Sequence, residues 1–421
     1  MKSNLRLSYV LFLTSLLLSA CQYVGKTKPV AEPAAPVTVA PACECAPSPA
    51  LPEAVSKPIE TKPESAKIPD YGLLKPSTWS ELDKLIDKDD LSRAWPAWQL
   101  GCSGLKAKPQ WTNVCNLADQ LVQPNKAQIQ EYFKNNFNVF LATNMDGTDT
   151  GLITGYYQPI LRGSKNKTDK YRYPLYTRPD DLITVELASL FPELANKRVR
   201  GRVVGNKLIP YYSRAEIDSD QTPLQGRELY WTDDAVELFF LQIQGSGIIH
   251  LDTGEKIPVG YADQNGQAYQ SIGRLLIDKG ELTADKASMQ GIKDWAKKNP
   301  GRLRELLNNN PSYVFFKELP NNLPGPIGAL GVPILAERVL AIDPKFIPLG
   351  APVMLSTTQP NNSKPLNRLM MAQDTGGAIK GGVRADLFWG AGYEAGRAAG
   401  SMKQKGKMWV LLPKEFKLPT N

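Results

Sequence analysis

The sequence predicts a mainly β protein with helices, in which one β domain is interrupted by another. Three observations carry that expectation. Strand-type alternation begins at Gly151–Ser164, after a helical N-terminal stretch. Helical periodicity returns at residues 271–280 and 287–300. From Tyr313 onward the chain is again β-rich and punctuated by glycine and proline.

In chain order, the N-terminus comes first. Lys2 and Arg6 precede Leu7–Leu18, a mostly apolar run too short to span a bilayer comfortably, which ends in Leu18-Ser19-Ala20-Cys21. Residues 1–20 therefore read as a lipoprotein signal peptide and Cys21 as the acylated residue. Stable anchoring needs two or more acyl chains, which that modification supplies. Gln22, not an aspartate, follows the cysteine, so an outer-membrane location facing the periplasm is expected. Residues 21–70 are rich in Pro and Ala and cannot bury a core. They form a tether whose extended reach is on the order of 150 Å. Cys43 and Cys45 lie within it, with no assigned role. Cys102 and Cys115 enclose what reads as a short loop and are the disulfide candidate for an oxidising compartment.

In the body, Thr78-x-x-Glu81 reads as a capping box ahead of Leu82, Leu85 and Ile86, and a second helix is carried by Ile129, Phe133 and Phe137. Gly205-Asn206 sits between alternating runs, a hairpin signal. The stretch 237–259 offers two more strands, with Gly245-Ser246-Gly247 and Asp252-Thr253-Gly254 as turns. The later helical segments place Met289, Ile292 and Trp295 on one face.

Function is bounded by scarcity. The formal charge of +8 is spread along the chain, with no basic stripe and no nucleic-acid motif. His250 is the one histidine, and Ile249 and Leu251 alternate against it. A Ser-His-Asp triad, a Cys-His pair and histidine-rich zinc sites are excluded, and no metal or organic cofactor is implied. Acid–base chemistry falls to Asp, Glu, Tyr or Lys. Residues 372–389 place Asp374 and Asp386 on either side of a glycine-rich turn. Neighbouring carboxylates can keep one of the pair protonated, and one or two carboxyls suffice to break a glycosidic bond. Phe388 and Trp389 would add desolvation. Sequence physics does not rank the two aspartates. Asp343 precedes a proline and fits a turn as well as a site. Lys380 reads as a solvated loop lysine, with an anion contact as the alternative.

The segments AIDPKFIPLG, AQDTGGAIKG and RADLFWG together resemble the three-aspartate (3D) domain. GYYQP, YYSRAEI, FFLQIQGSG, YADQNGQAYQSIGRLLIDKG and SYVFFKE resemble the membrane-bound lytic murein transglycosylase A (MltA) family, in the right order from about Leu74 to Leu412. The longer tether and the Cys102/Cys115 pair depart from the family pattern. The resemblance implies a double-psi β-barrel made of residues 71–155 and 311–415, with a 3D region at about 334–412. It implies a smaller inserted β-barrel domain at 156–310 and a groove for a glycan strand between the two. It implies non-hydrolytic cleavage of the β-1,4 bond from N-acetylmuramic acid to N-acetylglucosamine, leaving 1,6-anhydromuramic ends. Asp386 would be the acid/base, with Asp374 and Asp343 as further site aspartates. Tyr156, Tyr157, Gln158, Gln244, Gly245 and Ser246 would contact the glycan. The expected partners are peptidoglycan strands, the outer membrane through the lipid, and a cell-wall synthesis or division complex. A glycan hydrolase would need a second carboxylate to activate water. A non-catalytic peptidoglycan-binding lipoprotein would not need the aspartates at all.

Overall fold

The computed structural model describes residues 71–418, apart from 192–193, 195–198 and 285. The signal peptide, Cys21 and the tether with Cys43 and Cys45 lie outside the described residues. No helix among the described residues is long and apolar enough to cross a membrane.

The body opens with β1 (Leu74–Ser77) and α1 (Trp79–Ile86). Thr78 takes the N-cap position, but the expected capping box does not form. The Thr78 hydroxyl pairs with Ser80 at 2.8 Å, and the Glu81 carboxylate accepts the Trp409 indole N–H at 3.4 Å. Three further helices follow: α2 (Leu91–Leu105), α3 (Pro109–Asp119) and α4 (Lys126–Asn136). The sequence reading found only the first and last of these four. Pro96 inside α2 disguises its pattern. Yet Leu91, Trp95, Trp98, Cys102 and Leu105 are buried at helical spacing. Cys102 and Cys115 form a disulfide with their Cα atoms 5.2 Å apart, so the bond staples α2 to α3 and spans a helix–turn–helix where a plain loop was expected. Phe137, expected on the stripe of α4, is instead the first residue of β2 (Phe137–Ala142) and is buried there.

Next comes β3 (Gly151–Gln158), and the chain then leaves for a separate set of sheets. In order these are β4 (Ile160–Ser164), β5 (Tyr173–Tyr176), β6 (Ile183–Thr184), β7 (Arg200–Val204), β8 (Lys207–Pro210), α5 (Arg214–Ile217) and β9 (Glu228–Thr232). There follow α6 (Ala235–Gln244), β10 (Ser246–Leu251), β11 (Lys256–Gln264), α7 (Ile272–Asp278), α8 (Met289–Lys298), α9 (Leu303–Asn308) and β12 (Val314–Glu318). Six strands pair in the order β12-β11-β10-β4-β9-β5, and a bridge from Thr177 to Phe316 brings the two edges of that sheet together. A three-stranded sheet β6-β7-β8 accompanies it, with Gly205-Asn206 as its two-residue turn and Gly205 at φ +59. Residues 237–244, which the sequence reading assigned to a strand-and-turn pattern, are helical. Their apolar run lacks alternation, Asp234 accepts the N–H groups of Val236 and Glu237, and Gly245 ends the helix at φ +76. His250 is exposed on β10, with Ile249 and Leu251 buried beside it.

The chain returns as β13 (Val339–Ile342), β14 (Pro352–Thr358), β15 (Pro365–Thr375), β16 (Arg384–Ala391), α10 (Gly392–Ser401) and β17 (Lys403–Pro413). Strands β3, β16, β13, β15, β14 and β17 pair in that order, and β17 pairs again with β3, so six strands form a closed barrel. The contacts β3/β16 and β13/β15 are parallel, and the other four are antiparallel. Ile153, Leu340, Ile342, Ala385 and Leu387 are fully buried and share one core with α1–α4. The architecture is thus a mixed α and β fold with a closed six-stranded barrel, more helical than the sequence predicted. Strand pairing divides the two sheet systems at Pro159 and after Glu318.

Candidate active site

Asp374 is the penultimate residue of β15 and Asp386 lies in β16, the two strands that flank β13. Both are register partners of Ala341, one in a parallel and the other in an antiparallel ladder. Residues directly opposite one another share a sheet face, so both carboxylates project from the same side. Two strand spacings, about 10 Å, separate their backbones. Ala341 lies between them and is buried. On the far side of Asp386 the row continues to Thr154 of β3.

The two carboxyls have different surroundings. Asp386 accepts the Thr154 hydroxyl at 2.8 Å. Burial pushes its carboxyl up to about 6, against smaller opposing effects from the Thr154 bond and Arg384 and a minor upward push from Asp374. Asp374 accepts hydrogen bonds from the Tyr156 hydroxyl at 2.8 Å, the Ala329 N–H at 3.0 Å and the Thr375 N–H at 2.9 Å. Such a set suits a fixed carboxylate. The Tyr156 phenol is held well above its ordinary range, first by burial and then by Asp374, so it stays a neutral donor. Its ring lies 5.1 Å from that of Phe388, two residues along β16 from Asp386. Trp389 does not join that side: its indole meets Gly155 and donates to Met402 Sδ at 3.3 Å. Of the two aromatic residues expected to desolvate Asp386, only Phe388 shares its face.

Asp343 follows β13 and is buried. Its carboxylate accepts the Lys345 N–H at 3.2 Å and the Gly381 N–H at 3.1 Å, tying two loops together. Lys380 is exposed in the second of those loops. The expected glycan contacts gather where β3 leaves the barrel. The Tyr157 N–H donates to Gln244 Oε1 at 3.0 Å, Gly245 caps α6, and Ser246 opens β10. Tyr156, Tyr157, Gln158 and Ser246 are only 8, 9, 6 and 9% exposed, so their faces are largely covered by protein. Sequence reasoning missed Thr154 and Ala329. Thr154 stands two residues before Tyr156, but its bond to a residue 232 positions away depends on strand register, which carries no local signal. Among the described residues no cluster of three His, Cys, Asp or Glu is placed to hold a metal.

Comparison with known proteins agrees with this architecture. Residues 152–317 match the MltA specific insert domain, and residues 338–412 match the 3D domain. Membrane-bound lytic murein transglycosylase A of Escherichia coli K12 is 34% identical over 282 residues, covering 64% of this chain and 68% of that protein. The monoclinic crystal structure of MltA from Neisseria gonorrhoeae is 41% identical, covers 79% of this chain and 90% of its own, and superposes with a TM-score of 0.70. The structure of E. coli MltA with bound chitohexaose is 27% identical, covers 81% and 91%, and gives a TM-score of 0.56. With these relatives, the protein is a peptidoglycan-cleaving lyase, a lytic murein transglycosylase. The chain belongs to the membrane-bound lytic murein transglycosylase A family.

Proposed function

We propose that the protein cleaves the β-1,4 bond between N-acetylmuramic acid and N-acetylglucosamine, with Asp386 as sole acid and base. The observation that carries this is the contrast between the aspartates: a part-buried carboxyl pushed up to about 6, and one that accepts the Tyr156 hydroxyl and two backbone N–H groups. Protonated Asp386 gives its proton to the glycosidic oxygen as the C1–O bond breaks. The resulting carboxylate then takes the proton of the muramic O6 hydroxyl as O6 bonds to C1. The acid is regenerated, no water is consumed, and a 1,6-anhydro end remains. A hydrolase would need Asp374 to activate water, and the hydroxyl and two backbone N–H groups directed at Asp374 argue against that role. Tyr156 and Thr154 orient the pair, and Asp343 fixes the loop that precedes β16.

The glycan would run along the junction of β3 with α6 and β10, past Tyr156, Tyr157, Gln158, Gln244, Gly245 and Ser246. Chitohexaose bound to the E. coli relative supports glycan binding, and the Tyr157–Gln244 bond holds the two expected contact segments together. The barrel would be of double-psi type, which its two parallel pairings favour, with residues 159–318 as an inserted domain. Cys21 would anchor the chain to the outer membrane from the periplasmic side, a reading supported by the sequence before it and by relatives named as membrane-bound. The test is mass spectrometry of fragments from purified sacculi. Anhydro ends, one water lighter than reducing ends, support the lyase; reducing ends alone would make it a hydrolase, and no fragments would make it a binder.

A further inference from the structure

Arg384 begins β16 two residues before Asp386, so both side chains leave the same face, about 7 Å apart along the strand. It is half-buried, and burial draws its guanidinium below the ordinary arginine range. The buried Arg338 binds Asp89 with contacts of 2.8 and 2.9 Å, and the part-buried Arg368 meets Glu337 at 2.8 Å. Arg384 has no carboxylate within ion-pair distance among the described residues. Its hydrogen bonds go to the backbone carbonyls of Ala385 and Leu152, and Asp386 acts on it only through the longer-range field. A guanidinium has five N–H donors, and a partly desolvated one without an anion is costly. Its remaining donors suit an anion brought by the ligand.

We propose that Arg384 binds a carboxylate carried on the lactyl arm of the muramic acid residue, and thereby selects murein over neutral glycans. This rests on the glycan-cleaving reading above. With Asp386 at the glycosidic bond of the muramic residue, a cation about 7 Å along the strand lies within reach of the substituent on C3 of the same ring. The carboxylate is either that of the lactyl group itself, in peptide-free strands, or one from the stem peptide attached to it. Lys380, the loop cation, is exposed and solvated, so it lacks the desolvated setting that makes a cation selective.

The experiment uses Asp386→Asn protein, which cannot turn over, with and without Arg384→Gln. Calorimetry measures binding of four ligands: peptide-free murein strands, peptide-bearing strands, peptide-free strands amidated at the lactyl carboxylate, and chitohexaose. Arg384→Gln should weaken binding of a carboxylate ligand roughly tenfold to a hundredfold, and leave the two neutral ligands within about twofold. Loss confined to peptide-free strands names the lactyl carboxylate, and loss confined to peptide-bearing strands names the stem peptide. Arg384→Lys, which keeps the charge, should recover part of the affinity and controls for folding. Equal weakening of all four ligands, or no weakening of any, overturns the proposal, as does an Asp386→Asn parent that binds no strand. Strand binding intact while wild-type protein yields no anhydro ends sinks the reaction alone.

Discussion

Replacing Asp386 by Asn should abolish turnover and, at neutral pH, make the protein more stable. The native site holds a carboxyl whose ionisation is shifted from 3.8 to about 6, chiefly by burial. Keeping it ionised in that setting costs about 3 kcal/mol relative to the unfolded chain. Asparagine keeps an oxygen for the Thr154 hydroxyl and removes the charge, but its NH2 group needs acceptors, which offsets about 1 kcal/mol. The net gain above pH 7 is about 2 kcal/mol, a rise in Tm of roughly 3 °C for a body of this size. The sign follows from proton linkage. Between about pH 4 and 6 the folded protein binds more protons at this site than the unfolded chain, so this contribution to wild-type stability is full below about 4 and lost as pH rises through about 6. The variant's advantage should therefore vanish at pH 4. Thermal melts of both proteins at pH 4, 6 and 8, with anhydro-product assays alongside, read the two effects together. A variant that is no more stable at pH 8, or equally favoured at pH 4, would refute a buried, proton-holding Asp386. Retained turnover would remove it from the chemistry.

The wild-type rate should fall as pH rises through about 6, and Asp374→Asn should move that limb only slightly, because Asp374 is the smallest of the influences on Asp386; a shift of a full pH unit would mean that charge, not burial, controls the acid. Tyr156→Phe deletes the donor to Asp374 at 2.8 Å while keeping the ring against Phe388, and kcat should drop roughly tenfold or more with an unchanged circular-dichroism spectrum. Reducing the Cys102–Cys115 bond, which closes a separation of 13 residues, should cost about 3 kcal/mol in denaturant unfolding and leave kcat nearly intact, since it staples α2 to α3 away from Asp386. Cys21→Ala should release the protein from membrane fractions or leave an uncleaved precursor in the inner membrane; persistence with the outer membrane would mean that something other than lipid holds it.

What could be read from the sequence was whatever local chemistry decides. The alternation across 151–164 became β3 and β4, and Gly205-Asn206 became the turn between β7 and β8, because a two-residue hairpin needs those residue types. Residues 237–244 were ambiguous, since a short apolar run fits a buried strand or a buried helix; Asp234 and Gly245 at its ends are what make it helical. Pro96 hid α2, and with it the fact that the disulfide joins two helices. The aspartates stood out by their spacing, yet their ranking depends on Thr154, Tyr156 and Ala329, which reach them from 232, 218 and 45 positions away. No local pattern encodes that. Asp343 illustrates the converse: its place in a turn was readable from the proline after it, and a turn is where its carboxylate works.

Closure of the barrel by β17 against β3 has a consequence for when the enzyme can act. The strand that donates Thr154 and Tyr156 is made early, the strand that carries Asp386 is made late, and the ring between them shuts only when residues 403–406 pair with 151–154. A nascent or truncated chain that lacks its last strand has no closed barrel to hold Asp386 in place. A chain cut before Lys403 should therefore yield no anhydro product, although β3 and β16 are both present.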